Sequence, residues 1–152
     1  YENLAVMKTF SKVGLAGLRL GYLMAEKSLI KELNKIRLPF NVNSISQKIA
    51  EIALDNKDYL NKQSKEIIGL RESLLKQMLN VKEIEVYNSS TNFILFKIKN
   101  GSADNIFNKL LKDRILIKNM SNTESLEDCL RVTVGTEKEN NLFIQSLKNA
   151  LN

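Results

Sequence analysis

Apolar positions along this chain recur in two periods, and the switches between them predict the order of its elements. Leu4-Ala5-Val6-Met7 is a short apolar run of the kind that forms a buried parallel strand. Residues 18–25 form a second strand candidate. Leu29, Ile30, Leu33 and Ile36 recur at helical spacing and predict a helix over 28–36. Pro39, the only proline, interrupts helix there. Ser44-Ile45-Ser46-Gln47 has the form of a capping box, Ser44 at the N-cap and Gln47 three residues later. Ile45, Ile49, Ile52 and Ala53 carry the helix it opens. A long helix follows over about 58–79, with Ile67, Leu70, Leu74, Leu75 and Met78 on its apolar side and Gly69 as its one interior blemish.

Beyond this helix the period shortens. Residues 84–86 and 92–98 read as strands. Gly101-Ser102 ends the second of them, and Ser102 caps a helix carrying Ile106, Phe107, Leu110 and Leu111. Residues 115–117 predict another strand. Residues 129–134 alternate, with Arg131 and Thr133 on one face and Leu130, Val132 and Val134 on the other. Thr136 and Glu139 make a second capping box, opening a last helix with Leu142, Phe143, Leu147, Ala150 and Leu151. The chain divides accordingly. Residues 1–56 read as the tail of a larger α/β unit, because two short strands cannot make a stable open sheet alone. Residues 57–152 read as a linker helix followed by a compact α+β unit of four strands. No internal repeat is present.

Composition narrows the classes. Apolar residues make up 43% of the 152, enough for a real core. No apolar run has the length of a membrane span, and Tyr1-Glu2-Asn3 lacks the basic-then-apolar order of a signal peptide. The single cysteine, Cys129, cannot form an internal disulfide; it reads as a buried structural thiol and fits a reducing cytoplasm. The absence of histidine removes Ser-His and Cys-His pairs and most zinc sites, so no metal site is expected. The net charge of +6 is spread over scattered lysines, with no basic block interleaved with aromatics. It reads as a solvated surface rather than a nucleic-acid face.

The chemistry concentrates near the N-terminus. Thr9-Phe10-Ser11-Lys12 is followed by Gly14-Leu15-Ala16-Gly17-Leu18-Arg19-Leu20-Gly21-Tyr22, so a lysine and an arginine lie seven residues apart around a hydroxyl- and glycine-rich loop. A lysine amine can form a Schiff base with an aldehyde cofactor. Hydroxyls, backbone N–H groups and an arginine can hold that cofactor's phosphate.

With Arg37-Leu38-Pro39-Phe40-Asn41-Val42-Asn43, Asn92-Phe93-Ile94-Leu95 and Leu130-Arg131-Val132-Thr133-Val134-Gly135-Thr136, these segments resemble, in order and over nearly the whole chain, the fold-type I pyridoxal-phosphate aminotransferases. The pattern looks most like their histidinol-phosphate branch. The resemblance implies pyridoxal 5'-phosphate as cofactor and Lys12 as the Schiff-base lysine, which also moves a proton at the substrate α-carbon. It implies Thr9, Ser11 and Arg19 as ligands of the cofactor phosphate. Gly14, Gly17 and Gly21 serve backbone geometry. Arg131 matches the arginine that grips the substrate carboxylate, or the corresponding anionic group of the amino donor. Asn92 either touches the substrate or holds its local turn. Asn41 and Asn43 lie in a segment that the resemblance puts near the site or a dimer partner.

The reaction implied moves an amino group between L-histidinol phosphate and 2-oxoglutarate in histidine biosynthesis, in a cytoplasmic homodimer. The alternatives are another aminotransferase or a threonine-phosphate decarboxylase of the same superfamily, or a non-catalytic α+β binding module. Lys118 stands where such enzymes commonly carry arginine, which keeps the charge but loses the fork. The family's aspartate for the pyridinium nitrogen, its ring-stacking aromatic, and its asparagine and tyrosine at the ring oxygen have no counterparts here. The 152-residue chain is therefore expected to be inactive alone.

Overall fold

The computed structural model describes all of residues 1–152. They divide into two compact units, Tyr1–Ser64 and Lys65–Asn152. The division falls inside a long helix.

In the first unit, β1 (Val6–Thr9) pairs antiparallel with β2 (Gly21–Met24), in a register that sets Thr9 opposite Gly21. The apolar run at residues 4–7 therefore does not form a buried parallel strand. Pairing starts two residues later, runs antiparallel, and leaves Met7, Leu23 and Met24 exposed. An apolar run signals burial but cannot specify its partner's direction. Two 3-10 turns, Phe10–Val13 and Ala16–Leu18, join the strands. α1 (Lys27–Ile36) buries no side chain, although Leu29, Leu33 and Ile36 share a face.

α2 (Ser44–Asp55) starts one residue away from the expected cap. Asn43 is the N-cap, its Oδ1 accepting the Ser46 N–H at 2.8 Å, while Gln47 Nε2 donates to the Val42 carbonyl at 3.0 Å. Asn and Ser are both strong caps, and here the asparagine wins because its amide also reaches the Ser46 hydroxyl. α2 buries Ser46 and Ala50, whereas its isoleucines at 45, 49 and 52 stay exposed.

α3 (Lys57–Leu79) passes from the first unit into the second. The second unit holds an antiparallel sheet in the order β3-β4-β6-β5, comprising β3 (Ile84–Val86), β4 (Phe93–Ile98), β5 (Lys118–Asn119) and β6 (Cys129–Thr133). β4 turns Ile94, Phe96 and Ile98 inward, and β6 turns Leu130 and Val132 inward. They share one core with Leu74 and Met78 of α3, with Ile106 and Leu110 of α4 (Ala103–Lys112), and with Phe143 and Leu147 of α5 (Glu137–Leu151). Phe96 and Phe143 meet edge to face at 6.1 Å.

Ser102 caps α4, and Thr136 with Glu139 forms a full capping box on α5. The strand expected at residues 115–117 forms instead at Lys118–Asn119. Ile117 is buried in the core, and the ladder to β6 begins one residue later, with Lys118 opposite Arg131 and Asn119 opposite Leu130. Cys129 is 3% exposed, and burial raises its thiol pKa. No helix is long and apolar enough to cross a membrane.

Candidate functional site

The first unit gathers Thr9, Ser11 and Arg19 around one open depression of about 470 Å³, lined also by Lys8, Leu20 and Tyr22. Two elements present these groups. Thr9 ends β1 and caps the turn Phe10–Val13, its Oγ1 accepting the Ser11 N–H at 3.1 Å. The Thr9 and Ser11 hydroxyls lie 2.9 Å apart, and Thr9 Oγ1 also donates to the Leu20 carbonyl at 3.3 Å. Each hydroxyl has one proton, and both accept as well as donate. The pair can therefore rotate its protons toward an anion without moving heavy atoms.

Lys12 is exposed and sits in the same 3-10 turn as Ser11, but it does not line the depression. The turn closes at Gly14, whose φ of 85° suits glycine and whose N–H donates to the Phe10 carbonyl. Arg19 also has a left-handed backbone, at φ 51° and ψ 35°, with its N–H donating to the Ala16 carbonyl. Gly21 lets the strands approach, since a Cβ there would lie 2.7 Å from the Lys8 carbonyl oxygen. Gly17 meets no such constraint.

The second unit holds the other predicted residues. Arg131 stands on the sheet face opposite the core, half-buried, with its guanidinium carbon 4.6 Å from the centroid of the Phe93 ring. Register sets it directly between Leu95 and Lys118. Two cations thus occupy facing positions on neighbouring strands. Asn92 precedes β4; its carbonyl accepts the Val134 N–H at 2.9 Å, and its buried Oδ1 has no partner. The Phe93 ring beneath Arg131 and the facing Lys118 were not readable as a group, because both depend on strand register. Asn41 accepts from Arg37 Nη1 at 2.7 Å within its loop.

Comparison with known proteins identifies the family. The sequence profile described as aminotransferase class I and II matches residues 1–147. The chain belongs to this aminotransferase family. Histidinol-phosphate aminotransferase 2 of Nitrosococcus oceani is 46% identical over 149 residues, covering 97% of this chain and 41% of that protein. The histidinol-phosphate aminotransferase of Aquifex aeolicus is 37% identical over 151 residues, 99% of this chain and 42% of that protein. The chain thus spans about two fifths of the length of these relatives.

Among solved structures, the histidinol-phosphate aminotransferase of Clostridium acetobutylicum matches with a TM-score of 0.89 at 25% identity, over 100% of this chain and 47% of that one. The Sinorhizobium meliloti histidinol-phosphate aminotransferase, solved with pyridoxal-5'-phosphate, matches at 0.84 and 26%, over 99% of this chain and 41% of that one.

Proposed function

We propose that this chain is the lysine-loop and small-domain segment of a pyridoxal-phosphate enzyme that transfers an amino group between L-histidinol phosphate and 2-oxoglutarate in histidine biosynthesis. The observation that carries the reading is the convergence of Thr9, Ser11 and Arg19 on one depression, with Lys12 on the turn between them. Two hydroxyls and a guanidinium are a donor set suited to a phosphate dianion, so the residues present fit the cofactor. The proposed division places the cofactor-binding residues in 1–56 and the linker helix and small domain in 57–152.

When bound, pyridoxal phosphate supplies an aldehyde and an electron-withdrawing ring. Lys12 presents the primary amine that the aldehyde requires, and moves a proton at the substrate α-carbon. Thr9 and Ser11 would give the phosphate hydrogen bonds from their hydroxyls, and Arg19 would neutralise part of its charge. Arg131 offers a planar fork to a carboxylate and fixes its orientation, stiffened by the Phe93 ring against its face. Lys118 adds a second positive charge facing Arg131, and Asn92, at the start of the strand that carries Phe93, is proposed to contact the substrate. The names of the sequence relatives support the phosphorylated amino donor. A cytoplasmic homodimer remains the reading for the whole enzyme; the single buried cysteine is consistent with a reducing compartment.

The test is addition of pyridoxal phosphate, borohydride reduction and peptide mapping. Reduced adduct concentrated on Lys12, and lost in Lys12→Ala, is the expected result. Adduct scattered over many lysines of the full-length enzyme would overturn the assignment. Turnover of histidinol phosphate against other amino acids then decides the substrate.

A further inference from the structure

Ser46 lies inside α2, outside the depression, and belongs to no part of the site described so far. It is only 7% exposed, in a unit where little else is buried. Its hydroxyl donates to the Leu18 carbonyl at 3.0 Å, a contact spanning 28 residues of chain. Asn43 Nδ2 donates to that same hydroxyl at 3.0 Å, and Asn43 Oδ1 accepts the Ser46 N–H at 2.8 Å. The two Asn43 contacts leave the Ser46 proton for Leu18 and no other partner. The result is a directed chain, Asn43 to Ser46 to Leu18, whose members polarise one another.

Leu18 immediately precedes Arg19, whose left-handed backbone is disfavoured for a residue with a Cβ. Such a conformation persists where its surroundings hold it. The carbonyl that immediately precedes Arg19 is held, and so is the Leu20 carbonyl one peptide beyond it. The Leu18 carbonyl is held by Ser46, and the Leu20 carbonyl by the Phe10 N–H at 3.2 Å. One anchor comes from the turn that follows β1 and the other from α2.

We propose that Ser46, oriented by Asn43, is a positioning residue that holds Arg19 in the conformation from which it captures a phosphate monoester. The proposal rests on the assignment of Arg19 to the cofactor phosphate. It predicts an effect on phosphate recognition specifically, because the one long-range hydrogen bond of Ser46 goes to the carbonyl immediately before Arg19.

The experiment compares affinity for pyridoxal 5'-phosphate with affinity for pyridoxal in the full-length enzyme carrying this segment. The proteins are wild type, Ser46→Ala, Arg19→Ala and the double variant. The expected result is a loss of about tenfold in pyridoxal phosphate affinity for Ser46→Ala, near the worth of one buried hydrogen bond, with pyridoxal affinity unchanged. Arg19→Ala loses the same phosphate-dependent increment, and the double variant adds little further loss.

An equal loss for both ligands in Ser46→Ala would overturn the proposal in favour of a purely structural role. A loss confined to Arg19→Ala would overturn it and leave the phosphate assignment standing. No loss in Arg19→Ala would remove that assignment and the proposal with it. Amide exchange in the cofactor-free 152-residue chain keeps the question open to refutation where a variant holds no cofactor. Ser46→Ala is expected to speed exchange at Arg19, with the amides of β4 and β6 unaffected; unchanged exchange at Arg19 sinks the idea.

Discussion

Arg131 and Lys118 face each other across β5 and β6, where directly opposite side chains start roughly 5 Å apart and like charges repel. The arrangement is unfavourable by itself and favourable with an anion between or above the two cations. In the full-length enzyme, Arg131→Lys keeps the charge but loses the fork. If the proposed reaction holds, it is expected to lower kcat/KM for 2-oxoglutarate about tenfold to a hundredfold, the range of a charge-assisted hydrogen bond. Lys118→Ala is expected to raise KM for histidinol phosphate more than for unphosphorylated histidinol; equal effects on both would remove Lys118 from phosphate recognition. Glu139 offers a different residue-scale test. Hydrogen bonds from the Thr136 hydroxyl, at 2.7 Å, and from the Thr136 N–H, at 2.8 Å, hold its carboxylate pKa below the usual value. A depressed folded-state pKa contributes stability above the unfolded value, and that contribution is lost as pH falls through the folded value. Urea midpoints should therefore fall on acidification more steeply in wild type than in Glu139→Gln; identical slopes would show that the capping carboxylate does not couple to folding.

Elements whose signals are local were legible in the sequence. α3, α4 and α5 follow from apolar spacing, and Ser102 and Thr136 cap where their side chains predicted. Elements that depend on a distant partner were less so. The apolar run at 115–117 marks core occupancy at Ile117, but laddering waits for β6, and the direction of β1 is set only when β2 pairs with it. The same division runs through the candidate site. Thr9, Ser11 and Arg19 are close in sequence and could be grouped from it, whereas the Ser46–Leu18 bond and the Arg131–Phe93 stack require tertiary register. Gly69 tests an element directly. It lies in the interior of α3, and a Cβ built on it meets no atom within 4 Å. Gly69→Ala removes a backbone-entropy penalty without a clash and should stabilise the chain by about 0.4–1 kcal/mol. A higher urea midpoint with an unchanged slope is the expected signature; a lower one would mean that the exposed glycine serves a bend or a contact.

At the scale of the molecule, the two units differ in what they bury. The continuous core, from Leu74 to Ala150, lies wholly within Lys65–Asn152. The first unit buries Phe10, Ser46 and Ala50, and exposes Met7, Met24, Ile36, Leu38, Phe40 and Ile45. Burial of apolar area is the main favourable term in folding, so stability should concentrate where that core is. Residues 65–152, expressed alone, are predicted to unfold in a single cooperative transition. Leu74 and Met78 are fully buried there, and Leu74→Ala should cost about 2–5 kcal/mol through lost contacts and a cavity. The first unit leaves many apolar side chains exposed, and exposed apolar surface binds apolar dyes. An apolar-surface dye should therefore respond more strongly to the 152-residue chain than to residues 65–152. A gradual, non-cooperative melt of 65–152, or a Leu74→Ala variant as stable as the parent, would show that its core does not suffice to hold the small unit together.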